Sequence, residues 1–167
     1  MISSQKTIGM GCILILLVSV TFLAGCGAGR TTVLTPVETP ARFTSAEIYE
    51  DKPTVNVPGD VSSQFRASLE KELFEKGGFT RGDGLKIKYR FIQFNPGSQF
   101  SRWFWGGLGS AGKGTMTVEA KFFDQKGNEL AKIQSEGEIS SGAFGGSFNL
   151  AVQKAAKEIA DYAKRFR

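Results

Sequence analysis

The sequence predicts a single α+β domain, in which a mainly antiparallel β-sheet of about four strands carries two helices on one face. Three observations predict this fold class. Two stretches repeat apolar residues at helical spacing, several others alternate apolar and polar residues, and together they follow the order β-α-β-β-β-α. With 167 residues, of which 41% are hydrophobic, the chain is long enough to form one domain with a packed core.

The first strand is predicted within residues 41–50, where a loosely alternating stretch ends at the turn sequence Asp51-Lys52-Pro53. A helix follows, and Asp60 is its predicted N-cap residue, because a carboxylate there can accept a free backbone N–H. The pair Gly77-Gly78 is expected to end this helix. Its apolar residues recur every four positions and share one face: Val61, Phe65, Leu69 and Leu73.

Three more strands are predicted from the alternation of apolar and polar residues, and the segment Asp124–Asn128 is expected to form the tight turn between the last two. A final helix is predicted over residues 147–166, and its apolar stripe is expected to be core. The inward-facing residues of the three strands are Leu85, Ile87, Tyr89 and Phe91, then Met116, Val118, Ala120 and Phe122, and finally Ala131, Ile133 and Ile139.

The N-terminus has the three-part organisation of a secretory signal peptide: a short polar start, an apolar run over residues 8–24, and small residues before a cysteine. The sequence Leu23-Ala24-Gly25-Cys26 matches the bacterial lipobox, in which the cysteine thiol receives a diacylglycerol and the chain is cleaved before it. We therefore expect Cys26 to anchor the protein to a membrane. An uncleaved membrane helix is the alternative, but a run of about 17 residues is at the short limit for crossing a bilayer.

This interpretation divides the chain into a signal peptide (1–25), a flexible lipidated tether (26–40) and one α+β domain (41–167). The tether is predicted because its sequence is rich in Gly, Thr and Pro and lacks a helical period. Two or three acyl chains on one residue hold a protein firmly, since each buried CH₂ contributes about 0.8 kcal/mol. Gly27, rather than Asp, follows the cysteine, which favours the outer membrane of the cell envelope, facing the periplasm.

Composition excludes several classes of function. The chain has no histidine, and its two cysteines, Cys12 and Cys26, both lie outside the predicted domain. The domain therefore lacks the residues of zinc sites and of Ser–His or Cys–His catalytic pairs, and we expect no enzyme activity, cofactor or metal. A net charge of +5 without a dense basic stripe does not predict a nucleic-acid partner.

Two groups of residues are candidate binding sites. Arg102, Trp103, Phe104 and Trp105 cluster in a loop-like stretch, which suits a protein contact, a sugar-stacking platform or a membrane-interface contact. Their inward packing as a cap on the sheet is the alternative. Lys86, Lys88 and Arg90 alternate along one strand and are candidates for binding an anionic polymer or glycan; alternatively, they form a solvated sheet face, paired in part with Glu136 and Glu138.

A series of short, mostly glycine-containing motifs runs through the predicted domain: Phe94-Asn-Pro-Gly97, Arg102, Gly106-Gly107-Leu-Gly109, Gly112-Lys-Gly114, Phe123-Asp124, Lys126-Gly127-Asn-Glu-Leu130 and Gly145-Gly146. In these motifs, residues 41–167 resemble a family of bacterial lipoproteins known as domain of unknown function 4410. The resemblance implies no catalytic residues. It implies a small α+β domain like those of envelope lipoproteins, some of which activate cell-wall synthases while others assemble secretion pores, and by this analogy we expect an accessory module for an envelope protein partner.

Overall fold

The structure is a computed structural model that describes residues 30–36, 41–95, 114–139 and 148–167. These ranges contain six strands and two helices. A six-residue π-helical segment, Lys71–Lys76, continues the first helix, and a 3₁₀ turn, Lys164–Phe166, follows the second. The elements are β1 (Arg30–Thr35), β2 (Ser45–Glu50), α1 (Gly59–Glu70), β3 (Thr80–Arg81), β4 (Leu85–Asn95), β5 (Gly114–Phe123), β6 (Glu129–Ile139) and α2 (Phe148–Ala163).

All six strands form one mixed sheet in the order β1-β6-β5-β4-β2-β3. The pairs β1–β6, β6–β5 and β5–β4 are antiparallel, whereas β4–β2 and β2–β3 are parallel. The predicted α+β class is confirmed, but the prediction of about four mainly antiparallel strands was only partly correct. The chain crosses from β2 to β4 through α1, which makes that pair parallel, and the two residues of β3 are too few to show alternation.

β1 lies inside the stretch 26–40, which composition predicted to be a flexible tether. The structure instead pairs it with β6, with Arg30 opposite Glu136 and Val33 opposite Ile133. The Thr31 hydroxyl also donates a hydrogen bond to Glu158 of α2, at 2.7 Å. Strand pairing therefore begins at Arg30 and not near residue 41, because threonine and valine favour a strand once a partner strand is available.

The core lies between one face of the sheet and both helices. Phe65 of α1 packs against Tyr89 and Phe91, with ring centroids 4.9 and 5.3 Å apart. Phe122 of β5 packs against Tyr162 of α2 at 5.2 Å, and against Phe166 just beyond it at 5.5 Å. The sequence prediction of α1's inward face is confirmed, since the following residues are buried: Val61, Phe65, Leu69 and Leu73.

Small side chains let α2 approach β6 closely. A Cβ atom at Gly137 would lie only 2.6 Å from the carbonyl oxygen of Ala151, so a glycine is required at this contact. Two residues along β6, the Ser135 hydroxyl donates a hydrogen bond to the carbonyl of Ala155 at 3.2 Å. These contacts place the start of α2 over the end of β6.

Two local predictions had different outcomes. Asp60 was wrongly assigned as the N-cap of α1: the helix begins at Gly59, and its cap residue, Pro58, makes no side-chain hydrogen bond. The tight turn after β5 is confirmed, because the amide of Asp124 donates to the carbonyl of Asn128 at 3.0 Å and Gly127 has a φ of 87°.

Within the described ranges, neither helix has the length and apolar character needed to cross a bilayer.

Candidate functional site: the uncovered face of the sheet

The helices cover one face of the sheet, and no described element covers the other. Because side chains alternate along each strand, the polar members of β4, β5 and β6 all point to this second face. We call it the open face. It comprises Lys86, Lys88, Arg90, Thr117, Glu119, Lys121, Phe123, Lys132, Gln134 and Glu136.

Glu119 is the centre of the open face. Its side chain is surrounded by its neighbours, so the residue is only 4% exposed. Arg90 lies directly opposite on β4, and its Nη2 atom is 2.8 Å from Glu119 Oε1. Lys132 reaches from β6 and places its Nζ atom 3.0 Å from Oε2. One carboxylate therefore joins three strands through two cations.

Two opposing effects act on the pKa of Glu119. Burial raises the pKa, because it disfavours the charged form, whereas the hydrogen bond from Lys132 and the positive charge of Arg90 lower it. The cations outweigh burial, and the pKa is lower than that of an ordinary glutamate. Glu119 is therefore ionised at neutral pH, and its contacts are charge-assisted hydrogen bonds.

This arrangement corrects the prediction about which carboxylates pair with the basic residues of β4. Glu136 and Glu138 lie on β6, which is separated from β4 by β5, so they are not neighbours of the basic strand. Glu136 instead lies between Thr117 of β5 and Arg30 of β1. The side chain of Glu138 lies outside the described part of the structure. Glu119 was missed because sequence alone does not say which strands are adjacent.

The three predicted anion-binding residues differ in their availability. Arg90 is held by Glu119, but neither Lys86 nor Lys88 forms an ion pair with any described residue. The Nζ atom of Lys88 lies 5.3 Å from the centroid of the Phe123 ring, within range of a cation–π contact. Two of the three cations therefore remain available to an anionic ligand.

β1 forms one edge of the sheet and offers a different kind of surface. After Arg30, its sequence Thr-Thr-Val-Leu-Thr carries no charge. Val33 and Leu34 are 42% and 45% exposed, although they are large and apolar. The outer side of β1 has no neighbouring strand among the described residues, so its outward backbone N–H and C=O groups are open to a partner.

A cavity of about 390 Å³ lies near the other edge of the sheet, away from β1, between β2, β3 and α1. Arg81 spans it, with Nη2 2.9 Å from Glu70 Oε2 and its guanidinium 4.3 Å from the centre of the Phe74 ring. The hydrogen bond from Arg81 lowers the pKa of Glu70. Arg66 also contacts Glu70, at 3.1 Å, so this carboxylate holds both arginines that line the cavity.

Several predicted sites lie outside the described residues: the lipidation site Cys26 and the aromatic cluster of Arg102, Trp103, Phe104 and Trp105. They remain predictions. In the described part of the chain, no group of three or more His, Cys, Asp or Glu side chains is arranged to hold a metal ion.

Replacing Glu119 with glutamine is expected to lower the free energy of unfolding by about 1–2 kcal/mol at neutral pH, because Arg90 and Lys132 lose the charge that they both contact. Denaturant unfolding measures this change. The matched control is Glu129→Gln, whose more exposed pair with Lys121 spans 3.7 Å and should contribute less than about 0.5 kcal/mol. An equal effect of both substitutions would contradict the central role of Glu119.

The Glu119→Gln variant also tests how the stabilising contribution of Glu119 depends on pH. The folded-state pKa of Glu119 is lowered, so its stabilisation is fully present above the unfolded-state pKa of about 4.3 and is lost as pH falls through the folded-state pKa. The stability difference between the natural protein and Glu119→Gln should therefore shrink over this acidic range. A difference that stays constant down to about pH 3 would contradict the lowered pKa.

Two solved structures with a similar fold are dodecamers of PelC from Paraburkholderia phytofirmans. One, a point variant, matches with a TM-score of 0.54 and 12% sequence identity, covering 84% of this chain and 98% of that chain. The other, in a different crystal form, matches with a TM-score of 0.52 and 13% identity, covering 81% of this chain and 96% of that chain. At these identities the likeness shows the fold alone. A search of curated proteins finds no match.

The family assignment comes from the sequence and confirms the resemblance noted in the glycine-rich motifs. The family model described as Domain of unknown function (DUF4410) matches residues 51–143. This range runs from the end of β2 through β6, and it includes β4 with its basic residues, Glu119 and the tight turn after β5. The chain belongs to the DUF4410 family.

Proposed function

We propose that this protein is a lipid-anchored component of the bacterial cell envelope and a non-enzymatic binding module for a protein partner. The partner pairs with the outer edge of β1. The observation that carries this proposal is the uncharged edge strand that exposes Val33 and Leu34. In this arrangement the partner's backbone extends the sheet, and its side chains cover the two exposed apolar residues.

Edge strands of soluble proteins are normally protected. Inward-pointing charges, proline, short length or a bulge discourage pairing with another chain. β1 has a register irregularity between Val33 and Thr35, but from Thr31 to Thr35 it has neither charge nor proline. An edge with this composition is better suited to a covered interface than to permanent exposure.

A second copy of this chain is the first partner to test. PelC, which has a similar fold, is described as a dodecamer, so this fold is compatible with assembly from identical subunits. The sheet also has a second, partly open edge, because β3 covers only Ser45 and Ala46 of β2. Joining the two different edges of successive copies gives a head-to-tail contact, which closes into a ring when the rotation allows.

The membrane attachment rests on the lipobox. Leu23-Ala24-Gly25-Cys26 supplies the acceptor cysteine, and Gly27 favours the outer membrane facing the periplasm. Lipidation of one residue then places the binding module at a surface without a membrane-spanning helix.

Replacing Cys26 with serine should abolish lipid attachment and leave the uncleaved precursor, because a hydroxyl does not replace the thiol as acceptor. Metabolic labelling with a radioactive fatty acid and the mass of the mature protein measure both steps. Cys12→Ser is the matched control, since Cys12 lies within the predicted signal peptide, and it should be labelled and cleaved normally. Normal lipidation of the Cys26→Ser variant would refute the anchor.

Introducing charge on β1, with Val33→Lys and Leu34→Lys together, should weaken self-association by at least about tenfold, because two lysines must then be desolvated in the strand interface. Sedimentation analysis of the lipid-free domain over a range of concentrations measures it. Ser63→Lys with Gln125→Lys adds the same charge at exposed sites away from β1 and is the control. Unchanged assembly of the β1 variant, with its fold intact, would contradict the proposed interface.

An anionic polymer or glycan of the envelope is the alternative ligand. It is favoured by Lys86 and Lys88, neither of which forms an ion pair with a described carboxylate, even though Glu47 of β2 lies opposite Lys86. The ring of Phe123 below Lys88 adds an apolar platform. Retention of the monomeric domain on a polyanionic matrix, lost when salt is added, would favour this alternative over a protein partner.

A further inference from the structure

We propose that one end of the sheet is docked against the lipid surface, an inference that rests on the proposed anchor at Cys26. We call it the anchor end. It contains the start of β1, the end of β4, the start of β5 and the start of α2. Its occupant is the headgroup layer of the membrane that holds the anchor, and Leu150 of α2 is the apolar side chain that meets it.

β1 brings the folded part of the chain close to the lipidated residue. Arg30 follows Cys26 by four residues. An extended chain gains at most about 3.6 Å per residue, so Arg30 lies within about 14 Å of the anchor. The strand pairs of β1 with β6 then hold the rest of the sheet to this starting point.

The opposite end of the sheet lies much farther away than the anchor can reach. β5 has ten residues and therefore extends for about 33 Å at about 3.3 Å per residue. Its far end leads into the turn Asp124–Asn128, which carries the exposed polar residues Gln125 and Lys126. The length of the sheet is thus more than twice the reach of the anchor, and only one end is constrained to lie at the membrane.

α2 adds an exposed apolar residue to the same end. Its first turns lie over the end of β6, where Gly137 meets the carbonyl of Ala151. Leu150 is 56% exposed, more than any other large hydrophobic residue in the described ranges. While it faces water, the side chain of Leu150 contributes nothing to stability. Its insertion among lipid headgroups removes apolar surface from water, which is favourable.

The test uses the lipidated protein in vesicles of phosphatidylethanolamine and phosphatidylglycerol whose acyl chains carry bromine, a quencher confined to the bilayer. A single cysteine is introduced by Asn149→Cys, beside Leu150, and in a matched protein by Gln125→Cys, in the turn at the opposite end. Both positions are exposed, and both proteins are labelled with the same fluorophore. Lipidation blocks the thiol of Cys26, so each label occupies one site.

We expect quenching of the label at position 149 to exceed that at position 125 by roughly twofold or more, since only the anchor end meets the lipid. Equal quenching at positions 149 and 125 would overturn the proposed orientation but not the lipid anchor. The same holds if the protein floats with the vesicles and the label at position 149 is not quenched. Failure to float would instead overturn the anchor on which it rests.

Discussion

Burial of a single face of the sheet is the constraint on which the rest of the structure depends. The alternating residues of β4 and β5 turn their apolar side chains to α1 and α2, and the ring contacts of Phe65 and Phe122 lie at the middle of this layer. Both helices of the described residues pack on this face, so none of them covers the second face. The open face, the sheet edges and the anchor end are the surfaces to which we assign function.

The open face shows how polar side chains order a sheet surface that no described element covers. Glu119 is nearly inaccessible, yet it is ionised, because Arg90 and Lys132 compensate the cost of its burial. The carboxylate ties β4, β5 and β6 together through side chains, in addition to the backbone ladder. Lys86 and Lys88 lie on the same face without such a partner, and this difference separates residues that hold the sheet from residues that are available to a ligand.

Local patterns were sufficient to predict the helices, the turn after β5, the inward faces of β4 and β5, and the inward face of β6 as far as Ile133. Burial imposes a period on the sequence, and this period does not depend on which strands are neighbours. Adjacency was not predictable. Glu119 and Arg90 are distant in sequence and meet only because β5 lies beside β4. β1 was interpreted as a tether, since a threonine-rich strand at an edge lacks apolar alternation, and it becomes a strand through its pairing with β6.

The pairing of β1 with β6 is the central claim, because the binding edge and the membrane orientation both follow from it. Amide hydrogen exchange of the folded protein tests it most directly. In an edge strand, only some N–H groups bond to the neighbour, so the account predicts both slowly and rapidly exchanging amides from Thr31 to Thr35. The two kinds should alternate as far as Val33, where the register irregularity begins. Uniformly fast exchange across these residues would show a free tether and contradict the account.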